Sequence, residues 1–145
     1  MPIYKEAFYE GAAIQMLARS GHVKSIVYDP PFYLFNGSVT VLLKYTATHN
    51  GPWKFTFMSH HRALMRGKAA EGPLVIGLVC AENGVATLIY EAFRTIAGEG
   101  EAAIGISCFR KHGEHYEIRG PGGALDKKVA PSLWGRILEP ERNLT

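Results

Sequence analysis

The chain has 145 residues, 47% of them hydrophobic and 20% charged. A chain of this size and composition can bury one core without disulfides or metals, and the composition excludes a disordered chain or a simple structural repeat. The formal charge of +3 comes from scattered Lys and Arg residues, which permits nucleic-acid binding without indicating it.

Residues 5–19, K-E-A-F-Y-E-G-A-A-I-Q-M-L-A-R, carry apolar side chains at helical spacing: Phe8, Ala12 and Met16, flanked by Ala13, Ile14 and Leu17. Ser20-Gly21 supplies the C-terminal stop. V-K-S-I-V-Y (23–28) is a short strand broken by Asp29-Pro30-Pro31, and F-Y-L-F (32–35) follows. Asn36-Gly37 is the strongest two-residue hairpin signal in the chain and joins F-Y-L-F to V-T-V-L-L-K-Y-T (39–46). In that strand Val39, Val41, Leu43 and Tyr45 share one face, and Thr40, Leu42, Lys44 and Thr46 the other.

T-H-N-G-P (48–52) is a second turn, leading into W-K-F-T-F-M (53–58). Ser59 is placed to cap a short helix, H-H-R-A-L-M-R, with a polar loop then running through Gly72. P-L-V-I-G-L-V-C (73–80) is apolar on both faces and so is a central buried strand. Glu82-Asn83-Gly84 turns it into V-A-T-L-I, and a helix Y-E-A-F-R-T-I-A ends at Gly98. A-I-G-I-S-C-F-R and H-Y-E-I-R form a last strand pair. From Gly120 a Gly- and Pro-rich tail wraps the surface, anchored by Leu133, Trp134, Ile137 and Leu138. The expected fold is a single α/β domain over 1–145, its core at about 5–119, with one mixed β-sheet flanked by helices. The short turns favour antiparallel pairs, and the helix before 73–80 allows one parallel crossover.

Three charged side chains need a reason: Glu10 at the edge of the first helix's apolar stripe, Asp29 at a strand end, and Lys44 inside an apolar strand. Carboxylates bind a hard cation through oxygen, and a lysine beside them can stabilise charge on a phosphate under attack. Glu10-Gly11 on the helix, Asp29 before the hairpin, and Leu42-Leu43-Lys44 on the strand together resemble the restriction-endonuclease-like superfamily, the PD-(D/E)XK nucleases, over residues 5–90. The resemblance implies a core of helix, three-stranded meander, second helix and further strand. It also implies Asp29 and Glu10 as ligands of Mg²⁺ or Mn²⁺, Lys44 as the charge stabiliser, and water as nucleophile. The sequence departs from the pattern at Leu42, where the family has an acid, and no acidic residue stands between Asp29 and Glu71 to replace it. A degenerate member is therefore expected, one that binds nucleic acid with weak or absent cleavage. The competing class is a non-catalytic protein-interaction module, a homodimer formed through an apolar strand edge or the tail.

Trp53, Phe55 and Phe57 alternate with Lys54, and Arg62 and Arg66 follow. Aromatics interleaved with cations can stack bases and hold phosphates, so Lys54, Arg62 and Arg66 are candidate nucleic-acid contacts, although a half-buried strand gives the same alternation. A basic groove gathering Lys44, Lys54, Arg62 and Arg66 favours nucleic acid, and an exposed apolar patch favours a protein partner. His60 and His61 are adjacent, point to different faces and make a poor chelate. Cys80 and Cys108 lie in apolar strands and are expected as inert, buried thiols. M-P-I-Y-K-E-A-F-Y-E lacks the apolar core of a signal peptide, and no apolar stretch approaches the ~20 residues of a membrane span. A cytoplasmic protein with no membrane partner is expected.

Overall fold

Asn36 and Gly37 both take positive φ, 57° and 67°, and turn the chain between two strands that pair antiparallel from Phe35↔Val39 to Phe32↔Leu42. The structure, a computed structural model, describes residues 2–140; residues 141–145 of the expected tail lie outside the described residues. In chain order the elements are α1 (Lys5–Ala18), β1 (Ile26–Asp29), β2 (Phe32–Phe35), β3 (Val39–Thr46), β4 (Trp53–Phe57), α2 (Ser59–Glu71), β5 (Leu74–Cys80) and β6 (Val85–Ile89). They continue with α3 (Tyr90–Ala97), β7 (Ile104–Phe109), β8 (Glu117–Gly120), β9 (Gly123–Ala124) and a 3-10 helix at Pro131–Arg136.

The strands form two sheets where the sequence suggested one: a mixed sheet ordered β1-β2-β3-β5-β6 and an antiparallel sheet ordered β4-β7-β8-β9. β3 and β5 are parallel, with α2 in the crossover between them, and the other neighbours of the mixed sheet are antiparallel. The 48–52 turn does not make a hairpin, because β3 is already flanked by β2 and β5 and β4 pairs with β7 instead. Trp53, Phe55 and Phe57 are buried and Lys54 and Thr56 exposed, as a sheet solvated on one face requires.

β5 is buried at every residue because the mixed sheet is covered on both sides. Leu42, Ile76 and Leu78 pack with Phe55, Phe57, Ile106 and Ile118 between the two sheets. On the other side Val41, Leu43, Val75 and Val79 pack with Ala13, Leu17, Trp134 and Ile137. Cys80 and Cys108 are free and buried, their sulfurs 3.9 Å apart, and the neighbouring Cys108 thiol together with burial pushes Cys80 up, in line with an inert Cys80.

Four local expectations are corrected. The inward stripe of α1 is Ala13 and Leu17, with Tyr9, Glu10 and Ile14 half-buried, whereas Phe8 and Met16 are exposed. Ala13 lies against the tail, where the Trp134 indole N–H donates to its carbonyl at 3.0 Å. α2 runs on to Glu71, so residues 67–71 are helical and not a loop; Gly67 meets open space and the exposed polar residues beside it suit a solvated helix end. Ser59 is the first helical residue, with Met58 as the N-cap and no side-chain cap bond. In the tail Trp134, Ile137 and Leu138 are buried, while Leu133 is only half-buried.

Candidate functional site

β2 turns away from β3 at Phe32, opposite Leu42, and β3 continues to Thr46 with a partner only in β5. The Thr40 N–H donates to the Pro73 carbonyl on the β5 side, so even-numbered residues of β3 aim their backbone groups at β5. Leu43 and Tyr45 therefore aim theirs at the notch that β2 leaves. Pro31, which bounds the notch, has no N–H to offer them. α1 closes one side of it, Tyr9 stacking on Tyr45 at 5.2 Å between ring centroids.

The notch is a cavity of about 230 Å³ lined by Glu6, Glu10, Tyr28, Lys44, Tyr45 and His61 together with Leu42, Leu43 and Pro31. Two of the three expected residues, Glu10 from α1 and Lys44 from β3, thus come together. Glu10 accepts a hydrogen bond from the Tyr33 hydroxyl at 2.8 Å. Burial raises its carboxyl above the usual range, against the opposing pull of that hydrogen bond and of Lys44. Burial and the Glu10 carboxylate push the Tyr33 phenol up, so it stays a donor. Lys44 is half-buried, its ammonium 5.2 Å from the centre of the Phe57 ring, and burial lowers its pKa. Among the described residues no hydrogen bond or ion pair engages that ammonium. His61 Nδ1 is also buried without a partner, and burial, then the Lys44 charge, lowers the imidazole pKa.

Asp29 does not join them. Tyr28 and Tyr33 are register partners on the α1 face, so the next residue, Asp29, faces the α2 side with Phe32. There its carboxylate accepts from Lys68 at 2.7 Å. Leu42 is buried and apolar, and among the described residues no three His, Cys, Asp or Glu side chains gather to hold a metal ion. Mg²⁺ and Mn²⁺ want several oxygen ligands, and this donor set does not fit either.

Nor do the candidate cations form one groove. Lys54 stands on the outer face of the second sheet, in a concavity of about 340 Å³ with Arg119 and Ser107. Arg66 lies in a cavity of about 580 Å³ beside α2 and α3, ion-paired to Glu101 at 2.9 Å; Glu91, Glu99 and Arg94 share its rim, so neither sign of charge prevails. Arg62 is buried over Phe93 and donates to the carbonyls of Ala102 at 2.8 Å and Gly98 at 3.2 Å. It ties α2 to the chain leaving α3. Arg62→Lys should lower the unfolding free energy by about 1–2 kcal/mol, because an ammonium cannot span both carbonyls as the guanidinium fork does. Urea titration checks this, and an unchanged midpoint would show that the two bonds carry no stability.

The sequence reading missed Glu6, His61, Tyr28 and Tyr33. Glu6 was accessible, since Glu6 and Glu10 are four residues apart on one helical face. Beside His60, His61 reads in sequence only as half of a poor chelate, and the tyrosines needed the β1–β2 register. No family model, curated protein or solved structure matches the chain.

Proposed function

We propose that the chain is a restriction-endonuclease-like domain that has lost the metal cage and engages nucleic acid through the notch without cutting it. The observation that carries this reading is the meeting of Glu10 and Lys44 in one cavity. The element order around them supports it: helix α1, meander β1-β2-β3, then, after β4 has left for the second sheet, helix α2 and β5. The ammonium of Lys44 supplies positive charge to a phosphate, and the open backbone edge of β3 supplies hydrogen-bonding groups beside it. Glu10, held by Tyr33, balances Lys44 when no ligand is present. Leu42 and the Asp29–Lys68 pair remove the ligands that metal-dependent cleavage needs.

Fluorescence anisotropy with labelled single- and double-stranded oligonucleotides at low salt tests this, together with a cleavage assay in Mg²⁺ and Mn²⁺. Salt-dependent binding is expected, lost in Lys44→Glu, with the oligonucleotides intact. Absence of binding by the wild type removes the proposal. Cleavage that Asp29→Ala abolishes restores the metal reading instead.

A second reading, the protein-interaction module, is favoured by one observation. The candidate cations are dispersed, whereas Ile26, Val27 and Tyr28 present an exposed apolar run on the edge of the mixed sheet.

A further inference from the structure

His61 reaches the notch from the first turn of α2, so the cavity is bounded by that helix as well as by α1 and β3. The residue is half-buried, and its Nδ1 is fully buried without a hydrogen-bond partner. A buried polar atom left without a partner costs free energy and asks for a reason. The Lys44 ammonium lines the same space and is likewise unengaged among the described residues. Two nitrogens that could each serve an anion thus share one cavity of about 230 Å³.

Charge accounts for the idle ring. Burial, then the Lys44 charge, then His60, whose ring lies 4.2 Å away, all disfavour a proton on His61. The other ionisable groups lining the cavity are Glu6 and Glu10 of α1, Tyr28 of β1 and Tyr45 of β3, and neither carboxylate accepts from Nδ1.

We infer that His61 is a second phosphate contact of the notch and takes up a proton as the anion enters. A phosphate beside Lys44 cancels the repulsion that keeps the ring neutral. Protonation then gives Nδ1 an N–H to donate to a phosphate oxygen. One event offsets two costs: the ammonium gains a counter-ion and the ring nitrogen gains an acceptor. Because anion and proton enter together, affinity rises as pH falls through the pKa of the ring in the complex. Glu10 is the rival proton acceptor. A carboxyl ordinarily titrates at about 4.3 and an imidazole at about 6.5, and the Tyr33 hydrogen bond favours the charged carboxylate against the upward push of burial. The inference rests on the phosphate reading of the notch and adds to it the residue that makes binding depend on pH.

Anisotropy titrations at fixed low salt from about pH 8 to about pH 5.5 test this. The probe is an oligothymidylate with a pH-insensitive dye, whose phosphodiesters keep their charge across that range. Wild-type affinity should rise roughly 5–10-fold on acidification, as one proton shared over this window allows. His61→Gln should lose most of the rise, and His60→Gln should keep it. NMR titration of the His61 ring in the wild type needs no variant. Its pKa should lie below the ordinary imidazole value in the free chain and move up with saturating oligothymidylate. No binding at any pH removes the phosphate reading and this inference with it. Three results remove the inference alone and leave the phosphate reading standing. They are a flat wild-type profile, a rise that survives in His61→Gln but vanishes in Glu10→Gln, and a His61 pKa that the probe does not move.

Discussion

Trp134→Ala should lower the unfolding free energy by about 3–5 kcal/mol, the range for truncating a large buried aromatic. Trp134 is fully buried although it lies in the Gly- and Pro-rich segment after β8. Its ring covers Gly77 in the middle of β5; a Cβ on Gly77 would stand 2.8 Å from both the Trp134 ring and a Leu43 methyl. Removing the ring leaves a cavity against the central strand, and it also removes the donor from the Ala13 carbonyl. Urea unfolding followed by circular dichroism measures the loss. A drop below about 1 kcal/mol would mean that the tail is dispensable to the core. A double-mutant cycle sharpens the point. Gly77→Ala alone should destabilise by overpacking, and it should cost much less in the Trp134→Ala background, where the methyl enters the vacated space.

That packing separates what local pattern specifies from what it does not. The hairpin at Asn36-Gly37 and the doubly buried β5 were legible, because turn chemistry and hydrophobic run length act within a few residues. Trp134 was legible as an anchor, but its contact with Gly77 was not. The partner of β4 was invisible for a different reason: alternation along W-K-F-T-F states which face is buried and not which strand lies alongside. α1 misled because its small and large apolar residues support two overlapping stripes, and only the position of the indole against Ala13 chooses between them. At the site, Lys44 and Glu10 were legible as charges in the wrong company. Asp29 failed because one step along a strand reverses the face, and Tyr28 took the side next to the notch. Arg62 failed because a cation on an otherwise polar helix gives no sign that two backbone carbonyls await it.

Lys44→Met should act on binding and stability in opposite directions. Methionine keeps the apolar stem over Phe57 and removes the ammonium, so oligonucleotide affinity at low salt should fall at least ~10-fold if the notch is the phosphate site. Stability at neutral pH should rise, because burial opposes the charge more than the attraction of Glu10 offsets it. The pH dependence identifies the cause. Burial sets the pKa of Lys44 lower in the folded chain than in the unfolded chain, so the unfolded state binds more protons in the window between the two values. Below the folded value the cost of the buried charge is present in full. As pH rises through that value toward the ordinary lysine range, the folded state sheds its proton first and the cost is relieved. The stability gap between Lys44→Met and wild type should therefore narrow on going from neutral to alkaline pH, tyrosine titrations common to both chains largely cancelling in the difference. Urea midpoints of the two proteins across that range measure it. Parallel curves would mean that water reaches the ammonium, and Lys44 would then be an ordinary surface lysine with no cost for function to explain. A narrowing gap together with lost binding would show a charge kept at the expense of stability, as a site requires and a core does not.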